Sequence, residues 1–286
     1  MIRSALLTGI AIFALGSAAF AADLPSTKAP PVYAPPPPAL NWSGLYVGGN
    51  AGYGWTSGDG NEFCIDPTGV LNGSTCQVLP PGTSGVASAH GALVGGQLGY
   101  NWQSGAFVYG IETDLDAAFI RSSTFANGPF GFAGGGAPAT PAGISTSNLD
   151  IRSIGTVRAR LGYAFADRLL AYVTGGLAYG DVTANSLFTA PNVGTTYAGS
   201  SSSWRAGWTV GGGLEYAIDN NWSVKVEGLY YDLGSITTLG SEAPLVFAPT
   251  GYQHNVRFDV NGALVRAGIN YKFDMFAPPT PVAAKY

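Results

Sequence analysis

Charge is scarce in this chain, and the shortage narrows its class before any motif is read. Only 10% of the 286 residues are charged, and Lys and Arg together number 13 against 17 acids. A mildly acidic chain without a basic stripe is not built to hold nucleic acid, and none is expected as a partner. There are only two cysteines and two histidines. Two thiols without a nearby histidine cluster do not complete a tetrahedral metal shell, so no metal and no cofactor are expected. Long apolar runs are missing as well, and after the N-terminus no segment reads as a membrane-crossing helix. The chain is nevertheless too apolar to be disordered, with 46% hydrophobic residues.

The N-terminus reads as an export signal. Arg3 supplies the charge, Leu6 to Leu15 the short apolar core, and Ala19-Phe20-Ala21 the small-residue cleavage site. Residues 1–21 are set aside as a signal peptide, leaving 12 Lys/Arg against 17 Asp/Glu. Residues 22–40 form a Pro-rich linker, with Pro35 to Pro38 at its centre. Residues 274–286 form a similar tail around Pro278-Pro279-Thr280-Pro281. In an exported chain Cys64 and Cys76 are expected to pair as a disulfide in the first long loop.

Between linker and tail, residues 41–273 carry eight runs of alternating apolar and polar residues. They lie near 44–55, 91–102, 106–120, 150–165, 169–182, 203–217, 222–232 and 256–273. Each reaches the ~9–11 tilted residues a strand needs to cross a bilayer. Tight connections at Gln103-Ser104-Gly105, Ala166-Asp167-Arg168 and Ile218 to Asn221 alternate with long polar segments near 56–89, 122–148, 184–201 and 233–255. A sandwich has no reason to gather its long loops at one end. An eight-stranded antiparallel transmembrane β-barrel does, with short periplasmic turns and long extracellular loops.

Strand parity separates two faces. Phe107, Tyr109, Ile111, Leu115 and Phe119 share one side of the third run, opposite Glu112, Asp114 and Asp116. Val157, Leu161, Tyr163 and Phe165 oppose Arg158 and Arg160, and Trp204, Trp208 and Leu214 oppose Arg205 and Glu215. A membrane barrel turns the apolar side to lipid. The expected lumen then holds Glu112, Asp114, Asp116, Glu215 and Glu227 against Arg158, Arg160, Arg205, Lys225, Arg266 and Lys272. Desolvated charges must pair, so this set reads either as a plug that closes the lumen or as the lining of a narrow polar path. Aromatics gather near the short turns (Trp102, Phe107, Tyr163, Trp222, Tyr271) and near the long loops (Trp55, Phe119, Tyr179, Trp204, Tyr230), as two interfacial belts do. In the last run Val256, Phe258 and Val260 have the opposite parity from Val265 to Phe273. A bulge near Asn261-Gly262 would switch the phase; alternatively the earlier part is a hairpin arm above the membrane.

The opening Asn41-Trp42-Ser43-Gly44-Leu45-Tyr46-Val47-Gly48-Gly49-Asn50-Ala51-Gly52-Tyr53-Gly54 and the closing Leu264-Val265-Arg266-Ala267-Gly268-Ile269-Asn270-Tyr271-Lys272-Phe273 resemble the alphaproteobacterial outer-membrane immunogenic, porin-like barrel family. The resemblance implies a Gram-negative outer membrane, contact with its lipid and lipopolysaccharide, and assembly by the barrel-assembly machinery. It places Phe273 as the terminal aromatic that machinery reads, here followed by thirteen residues. It implies pore activity for some members and supplies no catalytic residues. The expected function is a structural envelope role with porin-like passage of small solutes; a surface adhesion barrel is the alternative. A lipid-modifying enzyme would have to use His90 or His254 with a loop serine such as Ser88, and no motif supports it. Oligomeric state is left open.

Overall fold

The computed structural model describes residues 40–57, 60–65, 67–69, 77–78, 88–129, 131–132, 142–166, 168–190, 195–244, 251 and 253–273. The expected signal peptide, most of the Pro-rich linker, the C-terminal tail and Cys76 lie outside these residues, and so does any Cys64–Cys76 pairing. Eight long strands form one closed antiparallel ring: β1 (Gly44–Ser57), β4 (Ala89–Ser104), β5 (Phe107–Pro129), β7 (Ala142–Ala166), β8 (Leu169–Ala190), β9 (Thr195–Ala217), β10 (Trp222–Pro244) and β11 (Gln253–Lys272). β1 pairs with β11 from Tyr46↔Lys272 to Ser57↔Asn261 and closes the ring. β2 (Gly60–Ile65) continues up β11 in the same register, starting at Gly60↔Phe258. β3 (Gln77–Val78) and β6 (Gly131–Phe132) make a separate two-stranded piece.

Three short connections, at 105–106, 167–168 and 218–221, lie at one end. Gly105, at φ 61°, turns β4 into β5 between the paired Ser104 and Phe107. At the β9–β10 turn the N–H groups of Trp222 and Asn221 donate to the Asp219 carboxylate at 2.7 and 2.8 Å. Those bonds hold its pKa below the usual carboxylate range.

The far end departs from the sequence reading. The segments 122–148, 184–201 and 233–255, expected as loops, are largely strand. β5 runs to Pro129, β7 starts at Ala142, and only residues 191–194 separate β8 from β9. At about 3.3 Å per residue and a tilt near 40°, β7 rises roughly 60 Å, well beyond the ~25 Å apolar band of a membrane barrel. These segments looked like loops because many of their outward residues are polar, as at Ser123, Thr146, Asn148, Ser200, Ser235 and Thr237. Their inward face buries Ala184, Phe188, Leu233 and Ile236 together with hydroxyls such as Ser145, Ser147 and Ser186, so a packed interior continues.

The expected phase switch in the last run is also corrected. In β11 every even position from His254 to Arg266 is buried, and β1 and β2 pair with β11 in one register. The interior itself changes character, from Arg266 and Asn270 below to Leu264, Val260, Phe258 and Val256 above. Irregularities fall elsewhere. A bulge at Arg152 lets β7 change inward parity between Ile151 and Ile154. Another at Leu233-Gly234, with Gly234 at φ 74°, offsets β10 against β11.

Candidate functional site

Nine of the eleven charged residues expected in the lumen meet there, buried, in the half nearest the short turns. Arg158 donates to Glu112 at 2.6 Å, Asp114 at 2.9 Å and Glu227 at 3.1 Å. Arg266 donates to Glu227 at 2.5 Å and to Asp116 and Asp114 at 2.7 Å each. Lys225 reaches both oxygens of Glu112 at 2.9 Å and lies 3.4 Å from Glu227. Arg160 pairs with Glu215 and lies flat against the Tyr172 ring, 3.8 Å from its centroid. Lys225 and Glu215, cross-strand partners beside the last tight turn, do not pair with each other; each crosses the lumen instead.

The network has parts that parity alone did not reveal. Tyr46 donates to Glu112 at 2.7 Å and Tyr172 to Glu227 at 3.1 Å. A file of amides crosses from strand to strand: Asn50 donates to Gln97, Gln97 to Asn270, and Asn270 to Glu215, at 2.7, 2.7 and 2.9 Å. Thus all eight ring strands contribute a side chain. Below the network, Trp42 is buried against Val108, Leu170, Tyr172 and Ala217. The space left between Trp42, Tyr46, Glu215 and Asn270 is about 20 Å³, room for about one water. The signal for these residues was present, since Asn50, Gln97 and Asn270 are lone polar positions at inward parity among glycines and small apolar residues.

Arg205 and Lys272 stand apart from this cluster. Lys272 lies at the short-turn mouth, where its ammonium donates to the Asn41 carbonyl. Arg205 faces inward higher up β9, and among the described residues no carboxylate pairs with it. Parity gave the face of both correctly but not their level. Phe273 is exposed at the short-turn rim. Its N–H donates to the Leu45 carbonyl at 2.8 Å and its ring meets Tyr271 edge-on. His90 and His254 face opposite sides of the wall: His90 is exposed, while His254 is buried and stacked on Phe188. They form no pair.

Above the charges the interior is apolar. Leu93, Ile120, Ile151, Ile154, Val182, Leu229, Leu233, Ile236, Phe258 and Leu264 belong to one buried cluster. At the top β8 packs across the lumen on β10 and β11: Ser186 meets Thr238 at 2.8 Å, and Phe188 meets His254. Outside, the reverse holds at membrane level. Ile111, Leu115, Leu161 and Val173 are more than half exposed, between belts that include Phe107–Tyr163 and Trp208–Tyr230 ring contacts.

Two adjacent glycines test how tightly the charge layer is packed. A Cβ on inward-facing Gly95 would lie 2.0 Å from Asp116 Oδ1 and 2.3 Å from the Leu115 carbonyl oxygen; on outward-facing Gly96 it meets nothing nearer than 3.5 Å. Gly95→Val is expected to lose about 1–3 kcal/mol or more of stability. Gly96→Val is expected to fold normally, as read by heat-modifiable gel mobility. Equal behaviour of the two variants would contradict the packing described.

Comparison with known proteins agrees with this architecture. Residues 10–273 match the outer membrane protein beta-barrel domain family. The chain is 36% identical to the 31 kDa outer-membrane immunogenic protein of Brucella melitensis, over 95% of this chain and 100% of that protein. It is 25% identical to the 25 kDa outer-membrane immunogenic protein of Brucella abortus, over 95% and 99%. Among solved structures, it is similar to the outer membrane protein OprG from Pseudomonas aeruginosa, with TM-score 0.43 and 14% identity over 82% of this chain and 98% of that one.

Proposed function

The chain belongs to the outer membrane protein beta-barrel domain family, and from that premise we propose that it is a structural barrel of the Gram-negative outer membrane with a closed lumen. It anchors a tall, polar-faced extracellular wall and passes no solute through its axis. What carries the reading is the filled interior: a charge network with a contribution from every ring strand, beneath a continuous apolar cluster. Eight strands enclose a space that side chains can fill. The two layers obstruct ions in different ways. The network occupies the cross-section and holds its charges in pairs, and the apolar layer offers an ion nothing to replace its water.

The wall above the membrane is the part that other molecules meet. Its outer face is rich in Ser, Thr, Asn and charge, as in Thr146, Asn148 and Arg152 on β7 or Ser200 and Ser202 on β9. Such a surface is a water-facing sheet and the natural place for contacts with antibodies or host surfaces. The relatives named as immunogenic proteins are consistent with that exposure.

Single-channel recording tests the reading. Residues 22–286, refolded into planar bilayers and shown folded by heat-modifiable mobility, are expected to be electrically silent. Discrete, reproducible openings of the folded protein would replace the closed barrel with a pore and make the paired charges its constriction.

A further inference from the structure

The ring wall has one long interruption. β9 and β10 pair from Ser223↔Ala217 to Asp232↔Trp208, and again from Ser241↔Ala198 upward, but not between. Over that interval β9 stays paired with β8, and β10 stays paired with β11 above its bulge. Residues 199–207 and 233–240 therefore face each other across a slit without ladder hydrogen bonds. It is pinched at both ends: a Cβ on Gly207 would lie 1.8 Å from the Asp232 carbonyl oxygen, and one on Gly199 would lie 3.0 Å from the Gly240 nitrogen.

Arg205 and Ser203 sit on the inward face of β9 in this interval, two residues apart. Arg205 Nε and Ser203 Oγ are both buried and both without a hydrogen-bond partner. Their cross-strand neighbours on β8 are Gly180 and Val182, which offer no acceptor side chain. The nearest carboxylates on the flanking strands, Asp181 and Asp232, belong to the outward face, and Asp232 already accepts the Gly234 N–H at 2.8 Å. The apolar cluster, including Val182, Leu233 and Ile236, lies behind. By contrast Arg158, Arg160, Lys225 and Arg266 all have carboxylate partners. The Arg205 Nε–H, buried beside that apolar surface, lacks the acceptor that an anion would supply, and the neighbouring Ser203 hydroxyl adds a second donor.

The slit's height identifies the source of that anion. Trp204, between the two donors, is among the most exposed aromatics at 64%, and it joins Tyr179 and Tyr230 in the belt far from the short turns. That belt marks the boundary of the outer leaflet. We propose that the β9–β10 slit binds a phosphate group of an outer-leaflet glycolipid, with Arg205 and Ser203 as donors and the acyl chains lying along the outer face of β9 below. The proposal rests on the outer-membrane location and holds whether or not the lumen conducts.

The test uses the full mature chain refolded in detergent micelles and titrated with bis-phosphorylated lipid A, with dephosphorylated lipid A, and with inorganic phosphate, read by native mass spectrometry. Saturable binding of the phosphorylated lipid is expected, weakened about tenfold or more by its dephosphorylation and by Arg205→Ala. Arg205→Gln, which keeps hydrogen-bonding capacity without charge, and Ser203→Ala serve as second variants, with heat-modifiable mobility confirming that each is folded. Arg205 lies outside the ion-pair network, so its loss strands no carboxylate there. Equal affinity for the two lipids, or undiminished binding by folded Arg205 variants, would overturn the site. Inorganic phosphate binding as tightly as the lipid would overturn the lipid as the source.

Discussion

Arg266→Ala is expected to be the most damaging single substitution in the barrel, costing about 3–5 kcal/mol or more of unfolding free energy as read from urea denaturation. The reason is the balance of charge in a space closed to water. The buried network holds five carboxylates, Glu112, Asp114, Asp116, Glu215 and Glu227, against four cations, Arg158, Arg160, Lys225 and Arg266. Arg266, like Arg158, serves three of the acids, at 2.5, 2.7 and 2.7 Å, and among the described residues it is the one cation paired with Asp116. Its removal leaves Asp116 with no cation in contact and raises an existing excess of negative charge. Substituting methionine does not rescue it, because packing is restored while the carboxylates stay uncompensated. Neutralising an acid has the opposite sign for the balance. In Asp116→Asn, acids and bases become equal in number, the side-chain oxygen still accepts from Arg266, and the new amide donor has the orphaned Asn50 Oδ1 nearby. That variant should cost about 1 kcal/mol or less. Equal losses in Arg266→Ala and Asp116→Asn, followed by tryptophan fluorescence in urea, would mean that the lumen is wet enough to screen its charges.

The lower half of this barrel was legible because its two faces speak in opposite chemistry. Ile111, Thr113, Leu115 and Ala117 alternate with Glu112, Asp114 and Asp116 along one strand, and the tight turns gathered at one end turned that alternation into a membrane barrel. Parity then placed nine lumen charges correctly. It failed on what parity does not contain. Arg205 and Lys272 share the inward face with Arg266, but height along a tilted strand decides who meets whom. Lys225 and Glu215 are neighbours in register, yet both find better partners across the lumen. The upper half misled for a different reason. There water lies outside and the apolar core inside, so the same alternation carries the reverse meaning. Val256, Phe258 and Val260 looked out of phase, and segments with polar outward residues such as Thr146, Asn148 and Ser200 looked like loops. Bulges at Arg152 and Gly234 add shifts that no local pattern announces.

The reversal of polarity gives the second large prediction, on Phe258. In a hairpin arm standing free above the membrane, Phe258→Ala would be nearly silent, like most surface changes. In this barrel Phe258 is 1% exposed and packs in the upper cluster. Truncation should therefore cost about 3–5 kcal/mol, the transfer of a buried ring plus the void it leaves. The neighbouring Arg257→Ala is the control. Its side chain is 57% exposed and its contact with Asp259 is 3.9 Å, so the expected change is within about 0.5 kcal/mol. Urea midpoints of the two variants separate the readings directly, and equal small losses would return the upper strands to the status of mobile arms. Conductance adds a further step. The apolar cluster and the charge network lie in series along one axis, so a void in the first leaves the second in place, and folded Phe258→Ala should remain silent in planar bilayers. Folded Arg266→Ala should be silent too, because the layer above it stays dry. Openings in Phe258→Ala with the network intact would show that the paired charges let ions by and that the apolar layer was the only barrier.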